Sequence, residues 1–107
     1  MWEEQLKIYD ELVAKCPRFQ RKGKTMPYTS ANGHMFSLFN KAGELGIRFS
    51  KEVQKKYLEK YNTSLFKSYN SIMHGYILIT ADMLKDPDHL VNLLNESFDY
   101  VMSLPPK

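Results

Sequence analysis

Apolar residues fall at Trp2, Leu6, Tyr9, Leu12, Val13 and Cys16, close to the helical period, so they line one stripe. The spacing predicts an amphipathic helix over 2–16. Pro17 stops it, because the residue before a proline is pushed out of the helical region. The stretch Arg18-Phe19-Gln20-Arg21-Lys22-Gly23-Lys24 has no period and reads as a basic loop. The pattern then becomes period two. Residues 26–30 and 34–39 flank Asn32-Gly33, a pair that tolerates the positive φ a type I′ turn requires, so a β-hairpin is predicted. A turn at Lys41-Ala42-Gly43-Glu44 leads to a third strand over 45–49, with Leu45, Ile47 and Phe49 on one face and Gly46 and Arg48 on the other.

Ser50 is a suitable N-cap for a helix over 51–61, with Glu52 in its first turn and Lys60 in its last, matching the helix dipole at both ends. Val53, Tyr57 and Tyr61 stack at i, i+4 and i+8, opposite a lysine-rich face. Two further strands are expected at 65–69 and 76–79, separated by a polar loop around Asn70-Ser71. Asp82 to Lys85 makes one helical turn. Asp86-Pro87-Asp88 then has the grammar of a helix start, and the stripe Leu90, Leu93, Leu94, Phe98, Val101 and Leu104 runs to Pro105-Pro106. The order is α-β-β-β-α-β-β-α. With short connections it implies an α+β two-layer sandwich: a mostly antiparallel five-stranded sheet with the first and last helices on one face.

Charge adds a polarity to this picture. The 15 Lys and Arg against 12 Asp and Glu give a formal +3. Residues 1–24 contribute six basic and four acidic side chains, 41–67 seven and three, and 68–107 two and five, so +2, +4 and −3 make up the total. At 107 residues, with 43% hydrophobic and 25% charged positions, the chain is an ordinary globular sequence long enough for a single core, and the expectation is one domain over 1–107. Cys16 is the only cysteine, which excludes an intramolecular disulfide and a cysteine cluster. A reducing cytoplasm is the expected location, since no signal peptide, transit peptide or membrane-length apolar run is visible.

The catalytic vocabulary is thin. Cys16 sits on the apolar stripe at a helix C-terminus, where a thiolate is disfavoured, and reads as core. His34, His74 and His89 have no metal-ligand spacing, and no metal or other cofactor is expected. Asp82, Asp86 and Asp88 are explained by helix capping. No phosphate-binding glycine loop is present, and no catalytic residue is assigned. The candidate site is instead a basic contact face formed by Arg18, Arg21, Lys22, Lys24, Arg48, Lys51, Lys55 and Lys56, with Tyr28 and Tyr69 as candidate aromatic contacts. Such a face suits weak nucleic-acid binding. A small-ligand site between the sheet and residues 70–75 is a further alternative. Seven tyrosines and six methionines, where exposed, would favour a protein interface.

Met26-Pro27-Tyr28, Asn32-Gly33-His34-Met35-Phe36, Ala42-Gly43-Glu44-Leu45-Gly46-Ile47-Arg48, Leu65-Phe66-Lys67, Tyr76-Ile77-Leu78-Ile79, Met83-Leu84-Lys85-Asp86 and Ser97-Phe98-Asp99-Tyr100-Val101 occur in this order. The ordered set resembles the stand-alone TfoX N-terminal-domain-like proteins. The resemblance implies an α+β fold of the TfoX and YjbR type, a link to regulators of natural competence, and no catalytic residues to carry over. Thr80 stands where the family pattern has proline, which is expected to loosen the turn before Asp82. The functional expectation is a non-enzymatic regulatory or adaptor domain acting through an unknown protein partner. A second copy of the chain is a further candidate partner, and no membrane is expected.

Overall fold

The computed structural model describes residues 2–68 and 70–107. Its elements are α1 (Trp2–Ala14), β1 (Tyr28–Ala31), β2 (His34–Phe39), β3 (Leu45–Arg48), α2 (Lys51–Lys60), β4 (Leu65–Ser68), β5 (Ser71–Leu78), α3 (Ala81–Leu84) and α4 (Pro87–Met102). The strands form one sheet in the order β1-β2-β3-β5-β4, and every neighbouring pair is antiparallel. This is the expected α+β architecture. The excursion through α2 places β4 at the far edge, and β5 returns into the gap between β3 and β4.

Side-chain alternation divides the sheet into two unlike faces. Phe39, Leu45, Ile47, Phe49, Ile77 and Ile79 join Tyr9, Leu12 and Val13 of α1 and Leu90, Leu93, Leu94 and Val101 of α4 in the main core. Val53, Tyr57 and Leu58 of α2 pack against the same core. A register shift opposite Thr29 and Ser30 inserts Phe36 as an extra residue in β2. That bulge lets Phe36 and Ser37 both meet the helical layer: Phe36 packs edge-on against Phe19, and the Tyr9 hydroxyl lies 2.6 Å from Ser37 Oγ. The opposite face holds a smaller cluster of Leu38, Phe66 and Tyr76, to which, among the described residues, no helix contributes.

The local signals read from the sequence have physical counterparts. Ser50 accepts from the Val53 N–H and Asp86 from the His89 N–H, capping α2 and α4. Asn32 and Gly33 both take positive φ, 57° and 80°, in the predicted hairpin turn. Thr80 does not loosen its turn. Its hydroxyl accepts from the Met83 N–H and caps α3. The other correction lies at 71–75, expected as loop: these residues are strand, because Asn70 adopts φ 61° and closes a tight turn in which Ser68 pairs directly with Ser71. Tyr69 lies outside the described residues, and with it the end of the predicted fourth strand.

Candidate functional site

The helix-free sheet face is built from residues that alternate with the core. Leu38, Phe66 and Tyr76 are buried on it, and Met26, Tyr28, Met35, Met73 and Leu78 surround them, each partly buried. The Tyr76 hydroxyl donates to the Met35 carbonyl at 2.9 Å, tying β5 to β2 across the intervening β3. Burial raises the Tyr76 phenol well above its ordinary range, with Arg48 pulling the other way. The result is a surface of three methionines, a tyrosine and a leucine laid over a fixed aromatic base. On the β4–β5 hairpin beside it, Leu65 and Ile72 are 40% and 46% exposed.

The expected basic contact face divides into two groups at different parts of the sheet. Lys22 pairs with Tyr28 through two backbone hydrogen bonds, which fixes the 18–24 loop beside the edge strand β1. The helix α2 instead packs on β5, where the Gln54 side-chain amide donates to the Tyr76 carbonyl at 2.9 Å. Strands β2 and β3 separate the two. Within the loop, Arg18 is committed to α4: it reaches Asp99 Oδ1 at 2.7 Å and Asn95 Oδ1 at 2.9 Å and lies 4.4 Å from the centre of the Phe98 ring. Arg21 grips Asp10 of α1 through two of its nitrogens, a pairing that raises its already high pKa. Lys22 and Lys24 remain exposed, as do Lys51, Lys55 and Lys56 on α2.

Arg48 and Lys51 are brought together. They line a hollow of about 340 Å³ with Phe49, Gln54, His74, Gly75 and Tyr100. Tyr28, the aromatic candidate among the described residues, belongs to the helix-free face. Sequence reasoning missed Met26, Met35, Met73 and Leu78 as a group. The available signal was that apolar residues occur in both alternating sets of β2 and β5, such as Met35 beside Phe36 and Leu78 beside Ile77, which a sheet covered by helices on one side alone does not require.

Cys16, Tyr9, Tyr57 and His89 are tied into the packing. Cys16 is 3% exposed, and burial raises its thiol pKa, against a lowering by Arg18. Tyr9 is held neutral by burial, while its hydroxyl joins Ser37 and Thr29 in an enclosed chain of hydroxyls. The Tyr61 hydroxyl and His89 Nε2 are hydrogen-bonded at 2.6 Å, and Tyr57 donates to Glu96 at 2.7 Å, so two hydrogen bonds fasten α2 and its C-cap to α4. Among the described residues, no helix is long and apolar enough to cross a membrane. No protein-family model matches the chain, and no curated protein matches its sequence.

Proposed function

We propose that this protein is a non-enzymatic regulatory or adaptor domain of a reducing cytoplasm, acting through protein contact, with the helix-free face of its sheet as the contact surface. One observation carries the reading: Met26, Tyr28, Met35, Met73 and Leu78 ring the buried Leu38, Phe66 and Tyr76 on a face to which, among the described residues, no helix contributes. Methionine and tyrosine are enriched at protein interfaces. The thioether adapts its shape to a partner, and the phenol offers an apolar ring with a polar tip. The resemblance to TfoX N-terminal domains supports a regulatory role of this kind.

The partner on this reading is a protein presenting an apolar patch, and a second copy of the chain is its simplest form. Affinity capture from the native cell with the wild type, with Met35→Glu/Met73→Glu and with Lys55→Glu tests it, alongside mass measurement of each purified protein. The expected result is a partner, or a dimer, retained by the wild type and Lys55→Glu and lost from the methionine variant with its melting temperature preserved. The same captured set for all three proteins, with all three monomeric, overturns the reading.

A further inference from the structure

A second surface, independent of the helix-free face, carries its own chemistry. The hollow of about 340 Å³ at the end of β3 is lined by Arg48, Lys51 and His74 together with Gln54, Phe49, Gly75 and Tyr100, and no carboxylate lines it. Among the described residues, Arg48, Lys51 and His74 have no hydrogen-bonded or ion-paired side-chain partner, whereas Arg18 and Arg21 are both ion-paired to aspartates. Three donor side chains therefore converge on one concavity with two formal positive charges and no counter-charge.

The backbone is shaped to hold them there. Gly75 takes φ +87°, and a Cβ at that position would stand 3.1 Å from the Phe49 carbonyl oxygen and 3.3 Å from Arg48 Cγ. The missing side chain is thus the space in which the Arg48 stem lies along β5. Its guanidinium is 5.8 Å from the centre of the Tyr100 ring, which leaves the edge of the fork open to a ligand. Lys51 is the first residue of α2, so the Ser50 cap that starts the helix also sets where the Lys51 stem leaves the backbone beside Arg48.

We propose that this hollow binds the phosphate group of a small phosphomonoester. A monoester carries close to two negative charges near neutrality, which matches the two fixed cations, and Arg48 offers it a two-pronged hydrogen bond. The ring of Tyr100 beside Arg48 gives the organic part of the ligand an apolar wall, while Phe49, whose ring is buried in the main core, is 2% exposed.

Backbone and Arg48 Nε–H resonances of ¹⁵N-labelled protein, followed during titration at constant ionic strength, test the site. The probes are inorganic phosphate, O-phosphoserine and a single-stranded oligonucleotide. Saturable shifts confined to Lys51, Glu52, Gly75 and Arg48, with O-phosphoserine at least as tight as phosphate, are the expected result. Arg48→Gln weakens both by about tenfold or more, Lys51→Gln weakens them severalfold, and Lys85→Gln has no effect. Shifts that never saturate, or that survive unchanged in both folded variants, overturn the proposal. An oligonucleotide that binds far more tightly and also shifts Lys55 and Lys56 reassigns the surface to nucleic-acid phosphates and overturns it equally.

Discussion

The ring of Phe66 occupies the space that a side chain on Gly46 would need: a Cβ there would fall inside van der Waals contact of three ring atoms. Phe66 belongs to the edge strand β4 and Gly46 to β3, with β5 between them, so the ring reaches across one strand to seat itself on another. Gly46→Ala therefore pushes the ring off its seat and costs about 1–3 kcal/mol, although alanine is the smallest possible change. Phe66→Ala costs about 3–5 kcal/mol by emptying the same space. In the double variant the alanine methyl no longer meets a ring, so the combined loss is smaller than the sum. Urea unfolding of the three proteins measures it.

Asn32 serves both the hairpin and the last helix. Its side-chain amide donates to the Val101 and Leu104 carbonyls at 3.0 and 2.8 Å while its backbone holds φ 57°. Asn32→Ala loses the two hydrogen bonds and gains left-handed strain, and is expected to cost about 2 kcal/mol or more. Asn32→Gly keeps the backbone geometry and loses only the hydrogen bonds, so it costs about 1 kcal/mol. Equal losses in chemical denaturation would contradict this division.

Stability falls in alkali. Burial holds the Tyr9 and Tyr76 hydroxyls above the ordinary phenol range, and burial, reinforced by the hydrogen bond to Glu96, pushes Tyr57 up to about 12. In the unfolded chain the same groups release protons near pH 10, so above that point the unfolded state binds fewer protons than the folded one. Their contribution is fully present below about pH 10 and is lost as pH rises toward the folded values. The urea midpoint should decline as pH rises from about 10 to about 12, and less steeply in Tyr9→Phe. A flat midpoint, or an identical decline in that variant, contradicts the assignment.

Most of the architecture was legible because local physics sets it. The stripe in α1, the caps at Ser50 and Asp86 and the Asn32-Gly33 turn are each specified by neighbouring residues. Residues 71–75 were not legible as strand, because Ser71, His74 and Gly75 have little strand propensity and the extension follows from the pairing of Ser71 and Ile72 with Ser68 and Lys67 of β4. The site was less legible than the fold. A list of basic residues does not say that Arg18 and Arg21 are paired with Asp99 and Asp10 while Arg48 is left open, since those partners are 81 and 11 positions away.

The Ser68 hydroxyl is buried with no hydrogen-bond partner among the described residues. An unsatisfied buried hydroxyl costs free energy, so Ser68→Ala is expected to leave stability unchanged or raise it by about 1 kcal/mol. A loss of more than about 1 kcal/mol in urea unfolding would instead identify a hydrogen bond made by that oxygen.

The most direct measurement of the proposed contact function uses the methionine methyl groups as reporters. Met26, Met35 and Met73 lie on the helix-free face, Met83 lies in the main core and Met102 is half exposed on α4. With ¹³C-methyl methionine in the protein and unlabelled extract of the native cell added, selective broadening or shifting of Met26, Met35 and Met73 is expected. Met102 stays sharp, and Met35→Glu/Met73→Glu abolishes the remaining change at Met26. Uniform behaviour of all the methionine signals, or a response confined to Met102, would contradict it.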